Sequence, residues 1–128
     1  MLPLRFRWFW LGFGLFSLTL ILALALAPLS GPLPVLTNDK VAHFVGFVYL
    51  TCWFLGMARR DLAWRIMLAL AAYGVLIEVL QGLTPYRAVE AADVVSDLAG
   101  IGTGWLLSST VLKGWCGRVE SLLGAAAP

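Results

Sequence analysis

Four long apolar stretches divide this chain, and they constrain its fold more than any other feature. They cover about residues 8–27, 39–57, 65–83 and 91–112. The hydrocarbon core of a bilayer is ~30 Å thick, so a helix needs ~20 apolar residues to cross it. Prolines and charged residues fill the segments between the stretches, and both end an apolar helix. The sequence therefore predicts an all-α fold, an integral membrane four-helix bundle, with residues 1–128 as a single domain.

The composition agrees with a membrane protein and excludes several other classes. Hydrophobic residues make up 61% of the chain and charged residues 12%, whereas roughly a quarter of a soluble globular domain is charged. A net charge of +2 is too small to indicate nucleic acid binding. Cys52 lies in an apolar stretch and Cys116 in the tail, so no disulfide framework is expected. Membrane lipids are the predicted partners, and the oligomeric state is left open.

The positions of the basic residues predict how the helices are oriented. Cytoplasmic loops of membrane proteins carry an excess of lysine and arginine. If four helices alternate in direction, seven of the nine basic residues lie on one side: Arg5, Arg7, Arg59, Arg60, Arg65, Lys113 and Arg118. Both termini are therefore predicted to be cytoplasmic, in the inner membrane of a bacterium. The loops at residues 28–38 and 84–90 are predicted to face outward.

The two ends of the chain leave alternatives open. The first stretch follows Arg5 and Arg7 and ends in small residues, as a secretory signal does. Its apolar run is longer than a usual signal core and Pro28 disfavours cleavage after Ala27, so a retained helix is predicted. At the other end, apolar residues within 112–123 recur every three or four positions. This spacing predicts a short interfacial helix on the cytoplasmic leaflet, with a frayed tail as the alternative.

Most of the acidic residues lie at the predicted outer ends of helices two, three and four. Five of the seven are placed there: Asp39, Glu78, Glu90, Asp93 and Asp97. Lys40, His43, Gln81 and Arg87 join them at the same level. Several spacings of three or four residues place these side chains on one helical face. An acid at membrane depth costs on the order of 2.5–3.5 kcal/mol, so the acids must be paired, solvated or protonated.

Glycines continue these polar faces and predict where the helices meet. They are Gly46 on helix two, Gly74 on helix three, and Gly100 and Gly104 on helix four. Small residues allow membrane helices to approach closely, so the polar faces are expected to converge on one outward-opening pocket. Five acids face two bases there, which raises some carboxyl pKa values. At least one of Glu78, Asp93 and Asp97 is therefore predicted to be protonated or to bind a cation.

Three motifs in this region resemble those of the VanZ-like family. They are "DKVAHFVGF" from Asp39, "EVLQ" from Glu78 and "RAVEAADVVSDLAGIGTG" from Arg87. The family pattern resembles D-K-x-x-H-F, E-x-x-Q and R-x-x-x-x-x-D-x-x-x-N-x-x-G, so the similarity runs from about Asp39 to Gly104. Asp97 departs from it, because the family usually has asparagine there. The family is named for a protein associated with low-level teicoplanin resistance.

The resemblance and the polar clustering together give a set of candidate site residues. The predicted binding residues are Asp39, Lys40, His43, Glu78, Gln81, Arg87, Asp93 and Asp97. If the protein is an enzyme, His43, Glu78 and Asp97 are the candidate acid–base residues. No cofactor or metal site is predicted, since neither an H-E-x-x-H motif nor a pair of clustered cysteines is present.

Three functions remain open from the sequence. The first is a VanZ-like envelope protein without catalytic activity, whose pocket recognises a lipid headgroup, a lipid-linked cell-wall precursor or a glycopeptide, or which modulates a membrane protein partner. Its expected consequence is a contribution to teicoplanin resistance. The alternative is a small membrane enzyme acting on a lipid-linked substrate at the outer leaflet. Proton- or cation-coupled transport ranks last, because the polar residues cluster at one end of the bundle.

Overall fold

A computed structural model describes residues 2–28 and 38–124, and these segments contain helices and no strand. Residues 29–37, which make up most of the predicted first outer loop, lie outside the described part. A 3-10 turn at Arg60–Leu62 precedes the third helix. The helices are α1 (Arg7–Leu26), α2 (Asp39–Met57), α3 (Ala63–Gly82), α4 (Ala91–Ser109) and α5 (Trp115–Leu122).

Local sequence explains where α2 and α5 begin. The Asn38 side chain accepts a hydrogen bond from the Val41 backbone N–H at 3.3 Å, which caps α2. The fourth helix ends at Ser109, three residues before the predicted boundary at 112. A turn follows it, and Gly114 takes a left-handed backbone conformation there, with φ of 66°. Glycine adopts that conformation without the steric penalty of a side chain.

Three helical segments are long and apolar enough to cross a membrane: Arg7–Leu26, Asp39–Met57 and Arg60–Gly82. Large apolar side chains on α1, such as Trp8 and Phe9, are exposed and suit contact with lipid. The fourth helix is not among these segments, because Asp93 and Asp97 reduce its apolarity. Its crossing of the membrane, and with it the four-span topology and the orientation, remains a prediction.

The packing of α4 against α2 is the most extensive contact between helices in the described structure. A Cβ atom at position 100 would lie 2.6 Å from the Phe44 carbonyl oxygen, and one at position 104 would lie 2.6 Å from Thr51 Cβ. The two helices therefore approach closely enough that these positions require glycine. Gly46, which the sequence also assigned to a close helix contact, has only Ile21 Cδ1 near it, at 3.9 Å.

A buried apolar core lies beside this contact and joins α2, α3 and α4. Its buried members are Phe47, Leu50, Leu70, Ile77 and Ile101. Helix α1 packs on the outside of this core through Leu18, Ile21, Leu22 and Ala25. The beginning of α2, the end of α3 and the beginning of α4 consequently lie together, and we call this region the polar end.

At the opposite end, the C-terminal helix α5 is fastened to the N-terminus by one buried carboxylate. Glu120 is 2% exposed and accepts hydrogen bonds from the backbone N–H groups of Arg5 and Phe6 at 2.8 and 2.9 Å. It also accepts one from Trp10 Nε1 at 2.8 Å. Phe6 is the residue that precedes α1 and Arg5 comes before it, so Glu120 accepts from two backbone N–H groups that lie just ahead of the helix. The Trp115–Leu122 part of the tail is thus helical.

Three packed tryptophan rings and a buried cysteine also lie at this end of the bundle. The rings of Trp10, Trp53 and Trp115 lie 5.4 Å apart between centroids. Beside them Cys116 is fully buried, and burial together with the nearby Glu120 charge raises the pKa of its thiol to about 12. Cys116 is therefore a protonated, space-filling residue, and neither it nor Cys52 forms a disulfide.

We expect Gly100→Ala to destabilise the protein by ~1–3 kcal/mol, because the added methyl group would overlap the α2 backbone, which cannot move aside as a side chain can. Gly102→Ala is the matched control, since position 102 has no neighbour within 4 Å. Alanine there should leave stability unchanged or raise it by up to ~1 kcal/mol through helix propensity. Thermal unfolding in mild detergent measures both, and equal stability of the two variants would contradict the close contact.

A second prediction concerns acid sensitivity through Glu120. Burial raises the pKa of this carboxyl, but the hydrogen bonds from Phe6, Trp10 and Arg5 outweigh burial and hold the pKa below its ordinary 4.5. A folded-state pKa below the unfolded value contributes stability that is fully present above the unfolded pKa and is lost as pH falls through the folded pKa. The stability difference between wild type and Glu120→Gln should therefore shrink below about pH 4.5. A difference that stays constant from pH 7 to pH 3 would show that the carboxylate charge does not matter.

Candidate functional site

Three helix ends build the polar end, and α1 is tied to it by hydrogen bonds from α3 and the segment after it. Gln81 Nε2 donates to the Ala25 carbonyl oxygen at 2.9 Å, and the Tyr86 hydroxyl donates to the Leu26 carbonyl oxygen at 2.5 Å. Unsatisfied carbonyl groups at the end of a helix are the usual acceptors of such bonds. The end of α1 is therefore held beside the polar residues of the other three helices.

His43 and Asp97 form a buried pair between α2 and α4. His43 Nδ1 and Asp97 Oδ1 lie 2.8 Å apart, and the two residues are 8% and 1% exposed. Asp97 fits because Gly74 on α3 has no side chain: a Cβ atom there would collide with Asp97 Oδ2. The contact orients the imidazole ring and leaves its other nitrogen, Nε2, available to a ligand.

Glu78 links the end of α3 to the beginning of α4. Its Oε1 atom accepts a hydrogen bond from the Glu90 backbone N–H at 2.5 Å, and Glu90 is the residue that precedes the first turn of α4. The residue is 3% exposed, and its second oxygen, Oε2, is buried with no hydrogen-bond partner in residues 2–28 and 38–124. One oxygen of Glu78 thus makes a structural hydrogen bond, and the other remains available as a hydrogen-bond acceptor.

Salt bridges form a more exposed rim around these residues. Lys40 Nζ lies 2.7 Å from Glu90 Oε2 and 3.7 Å from Asp93 Oδ1, and the Lys40 and Glu90 side chains are both half exposed. Arg87 Nη1 lies 2.5 Å from Asp39 Oδ1, with the arginine side chain 17% exposed. Exposed ion pairs contribute little to stability, so this rim does not account for the fold.

Inside the rim, three carboxylates and one imidazole form what we call the inner cluster: His43, Glu78, Asp93 and Asp97. Ligand atoms of His43, Glu78 and Asp93 lie within 4.8 Å of one another, and all three residues are buried. Among the residues that the structure describes, Asp93 Oδ1 and Asp97 Oδ2, like Glu78 Oε2, have no hydrogen-bond partner. Buried carboxylate oxygens are normally paired, so this cluster has unused capacity to bind a proton or a cation.

A cavity of about 220 Å³ adjoins the cluster between α1, α2 and α3. Its walls are mainly apolar and include Ile21, Leu24, Phe47 and Ile77. Its polar lining residues are Asp39, His43, Gln81 and Arg87. The sequence did not predict the α1 contribution, because that helix is apolar on all sides and no periodicity distinguishes a cavity-lining face from a lipid-facing one.

The eight predicted site residues thus fall into three groups at one end of the bundle. The inner cluster contains His43, Glu78, Asp93 and Asp97. The rim contains Asp39, Lys40 and Arg87. Gln81 donates a hydrogen bond to α1. Their convergence agrees with the predicted geometry, whereas their role in binding or catalysis remains a prediction.

Comparison with known proteins identifies the family. The VanZ/LLP1 family model matches residues 2–113, which is most of the chain. The chain belongs to the VanZ/LLP1 family. This confirms the resemblance seen in the three motifs and supports a membrane protein.

An uncharacterized protein from Schizosaccharomyces pombe is 35% identical to this VanZ/LLP1 protein over 80 residues. The aligned region is 59% of this chain and 49% of that relative, so the chain spans about half of the relative's length. No solved structure gives a significant match.

The contact between Glu78 and Glu90 yields a prediction for this VanZ/LLP1 protein. Glu78→Gln and Glu78→Met both remove the charge and nearly preserve the volume, but only glutamine keeps a carbonyl oxygen that can accept from the Glu90 N–H. We expect the methionine variant to be less stable than the glutamine variant by ~1–3 kcal/mol, the cost of a buried unsatisfied donor. Thermal unfolding in detergent measures the stability of the two variants. If the methionine variant is as stable as the glutamine variant, Glu78 does not hold the start of α4.

Proposed function

We propose that this VanZ/LLP1 protein is a non-catalytic component of the bacterial cytoplasmic membrane that recognises an amphiphile through its polar end. The ligand has an anionic head and an apolar tail, as do a phospholipid, a lipid-linked cell-wall precursor and a lipoglycopeptide. The observation that carries the proposal is the cavity, whose walls are apolar while Arg87 and Asp39 are among its polar lining residues. Such a site suits a ligand that is itself divided into a polar and an apolar part.

The charge distribution supports an outward-facing site. The other end of the bundle carries seven basic residues: Arg5, Arg7, Arg59, Arg60, Arg65, Lys113 and Arg118. Membrane proteins keep such residues in the cytoplasm, so the polar end would face the outer leaflet. Lipid headgroups and wall precursors are accessible there, and so are glycopeptides that enter from outside.

Arg87 is the residue that we assign to the anionic head. Its guanidinium group offers several donors in a planar fork that matches phosphate and carboxylate oxygens. Asp39 holds it in place through one contact, Nη1 to Oδ1, and within residues 2–28 and 38–124 no other ion pair engages the guanidinium group. An outer arginine also runs against the usual bias of basic residues toward the cytoplasm, which supports a specific role.

One observation favours the enzymatic alternative. His43 is oriented by Asp97 and lies close to Glu78, and an oriented imidazole beside a carboxyl group is an arrangement that acid–base catalysis uses. Incubation of the purified protein with phospholipid or polyprenyl phosphate separates the two functions. Product formation that is lost in His43→Gln would establish the enzyme, whereas binding without product supports recognition.

The binding proposal predicts a selective loss in Arg87→Gln. Purified protein in mild detergent should bind phosphatidylglycerol or polyprenyl phosphate, and the variant should bind ~10-fold more weakly or worse, because it loses a charge-assisted hydrogen bond worth ~1.5–3 kcal/mol. Native mass spectrometry with added lipid measures the occupancy. Arg59→Gln is the matched control, since Arg59 pairs with Asp61 in the segment between α2 and α3. Equal lipid binding by both variants would show that Arg87 does not contact the anionic head of the ligand.

The same pair of variants tests the physiological part of the proposal. Expression in a teicoplanin-susceptible host should raise the inhibitory concentration, and Arg87→Gln should reduce that gain while Arg59→Gln should not. Protein levels in the membrane are matched between variants. If no variant changes the inhibitory concentration, the protein has no role in teicoplanin tolerance, and the lipid-binding result is not affected.

A further inference from the structure

We propose that the inner cluster binds one divalent transition-metal ion, of the class of Zn²⁺ or Mn²⁺, with His43, Glu78 and Asp93 as ligands. His43 also lines the amphiphile cavity, but the inference rests on the geometry of the inner cluster and does not depend on the proposed recognition function. It gives one specific form to the earlier prediction that the buried acids take up a proton or a cation, and it departs from the sequence-based expectation of no metal.

The geometry of the three ligand atoms matches an ion with little rearrangement. They lie within 4.8 Å of one another. Opposite ligands of an octahedral ion with bonds of ~2.1 Å are ~4.2 Å apart, and ligands of a tetrahedral ion are closer. A movement of about 1 Å in flexible glutamate and aspartate side chains would bring the atoms to bonding distance.

The orphaned oxygens are an independent observation that points to a ligand. Glu78 Oε2 and Asp93 Oδ1 are both buried and have no hydrogen-bond partner in the described part of the chain, and the residues are 3% and 4% exposed. The nearest basic side chain, Lys40, is half exposed and 3.7 Å from Asp93 Oδ1. A buried carboxylate oxygen without a hydrogen bond is unfavourable even beside one half-exposed lysine, and a divalent cation would satisfy both oxygens and offset the surplus of negative charge.

Asp97 completes the arrangement as a positioning residue. Histidine ligands of metals commonly hydrogen-bond a carboxylate through the nitrogen that does not bind the ion. His43 Nδ1 makes such a contact with Asp97 Oδ1, so Nε2 is the nitrogen left for the ion. The family usually has asparagine at position 97. A carboxylate raises the basicity of a hydrogen-bonded imidazole more than an amide does, so Asp97 in place of asparagine affects the His43 ring.

The donor set decides the class of ion. One imidazole nitrogen with two carboxylates is a mixed set that suits Zn²⁺, Mn²⁺ or Fe²⁺, whereas Ca²⁺ and Mg²⁺ prefer oxygen ligands alone. The sequence did not predict this site because the three ligands come from α2, α3 and α4. Known metal motifs are recognised by ligand spacing along one segment, and these residues have none.

The experiment uses the full chain, purified in mild detergent with chelator and then dialysed into metal-free buffer. Titration with ZnCl₂ and MnCl₂, followed by calorimetry and elemental analysis, should show one ion per chain for wild type and a raised unfolding temperature. MgCl₂ and CaCl₂ are titrated in the same way for comparison. Glu78→Gln and Asp93→Asn should each weaken binding at least ~10-fold, and Asp97→Asn should weaken it ~10–100-fold at unchanged stoichiometry. Glu90→Gln is the matched control, because Glu90 is an exposed acid of the rim.

Each alternative outcome overturns the proposal. Absence of Zn²⁺ and Mn²⁺ binding in wild type would mean that protons neutralise the cluster. Equal weakening by Glu90→Gln and Asp93→Asn would place the ion at the exposed rim, and binding of Mg²⁺ or Ca²⁺ alone would reject the imidazole ligand. Size-exclusion elution and circular dichroism of every variant distinguish lost ligands from lost folding. Because the readout is metal content, failure here leaves the lipid-binding proposal unaffected.

Discussion

The close contact between α2 and α4 is the constraint on which the rest of the structure depends. Gly100 and Gly104 let the two backbones approach until a methyl group would no longer fit beside the Phe44 carbonyl oxygen. One turn from this contact, the same two helices carry His43 and Asp97, which meet only because the helix axes are so near. Packing of small residues, which drives helix association in lipid, here also determines the distance between ionisable groups.

Burial of charge is the second determinant, and it acts differently at the two ends of the bundle. At one end Glu120 receives three hydrogen bonds and fastens the last helix to the first. At the polar end the acids of the inner cluster keep oxygens without partners. A satisfied buried carboxylate stabilises a fold, whereas an unsatisfied one marks a place where a proton, an ion or a ligand is needed. The contrast within one small protein directs attention to the polar end as the functional one.

Much of this could be predicted from the sequence, and the reasons for the exceptions are physical. Apolar length and helix breakers placed the four long helices to within three residues at each boundary. The spacing of polar residues predicted that α2, α3 and α4 would bring theirs together. The contribution of α1 to the cavity was not predictable, because its apolar side chains carry no periodic signal. The role of Glu120 was missed since its partners are backbone N–H groups more than a hundred positions away, which no local pattern reveals.

The sequence by itself determined that the chain is helical and apolar enough to cross a membrane, that most of its acidic residues lie at one end, and that it carries the motifs of its family. These properties depend on residue composition and on spacing along single helices, both of which are local. Only the tertiary structure decided which groups touch: that Asp97 holds His43, that Glu78 holds the start of α4, and that Arg87 is paired with Asp39 beside an apolar cavity. Such contacts depend on the distance and rotation between helices, which are set by packing across the whole bundle.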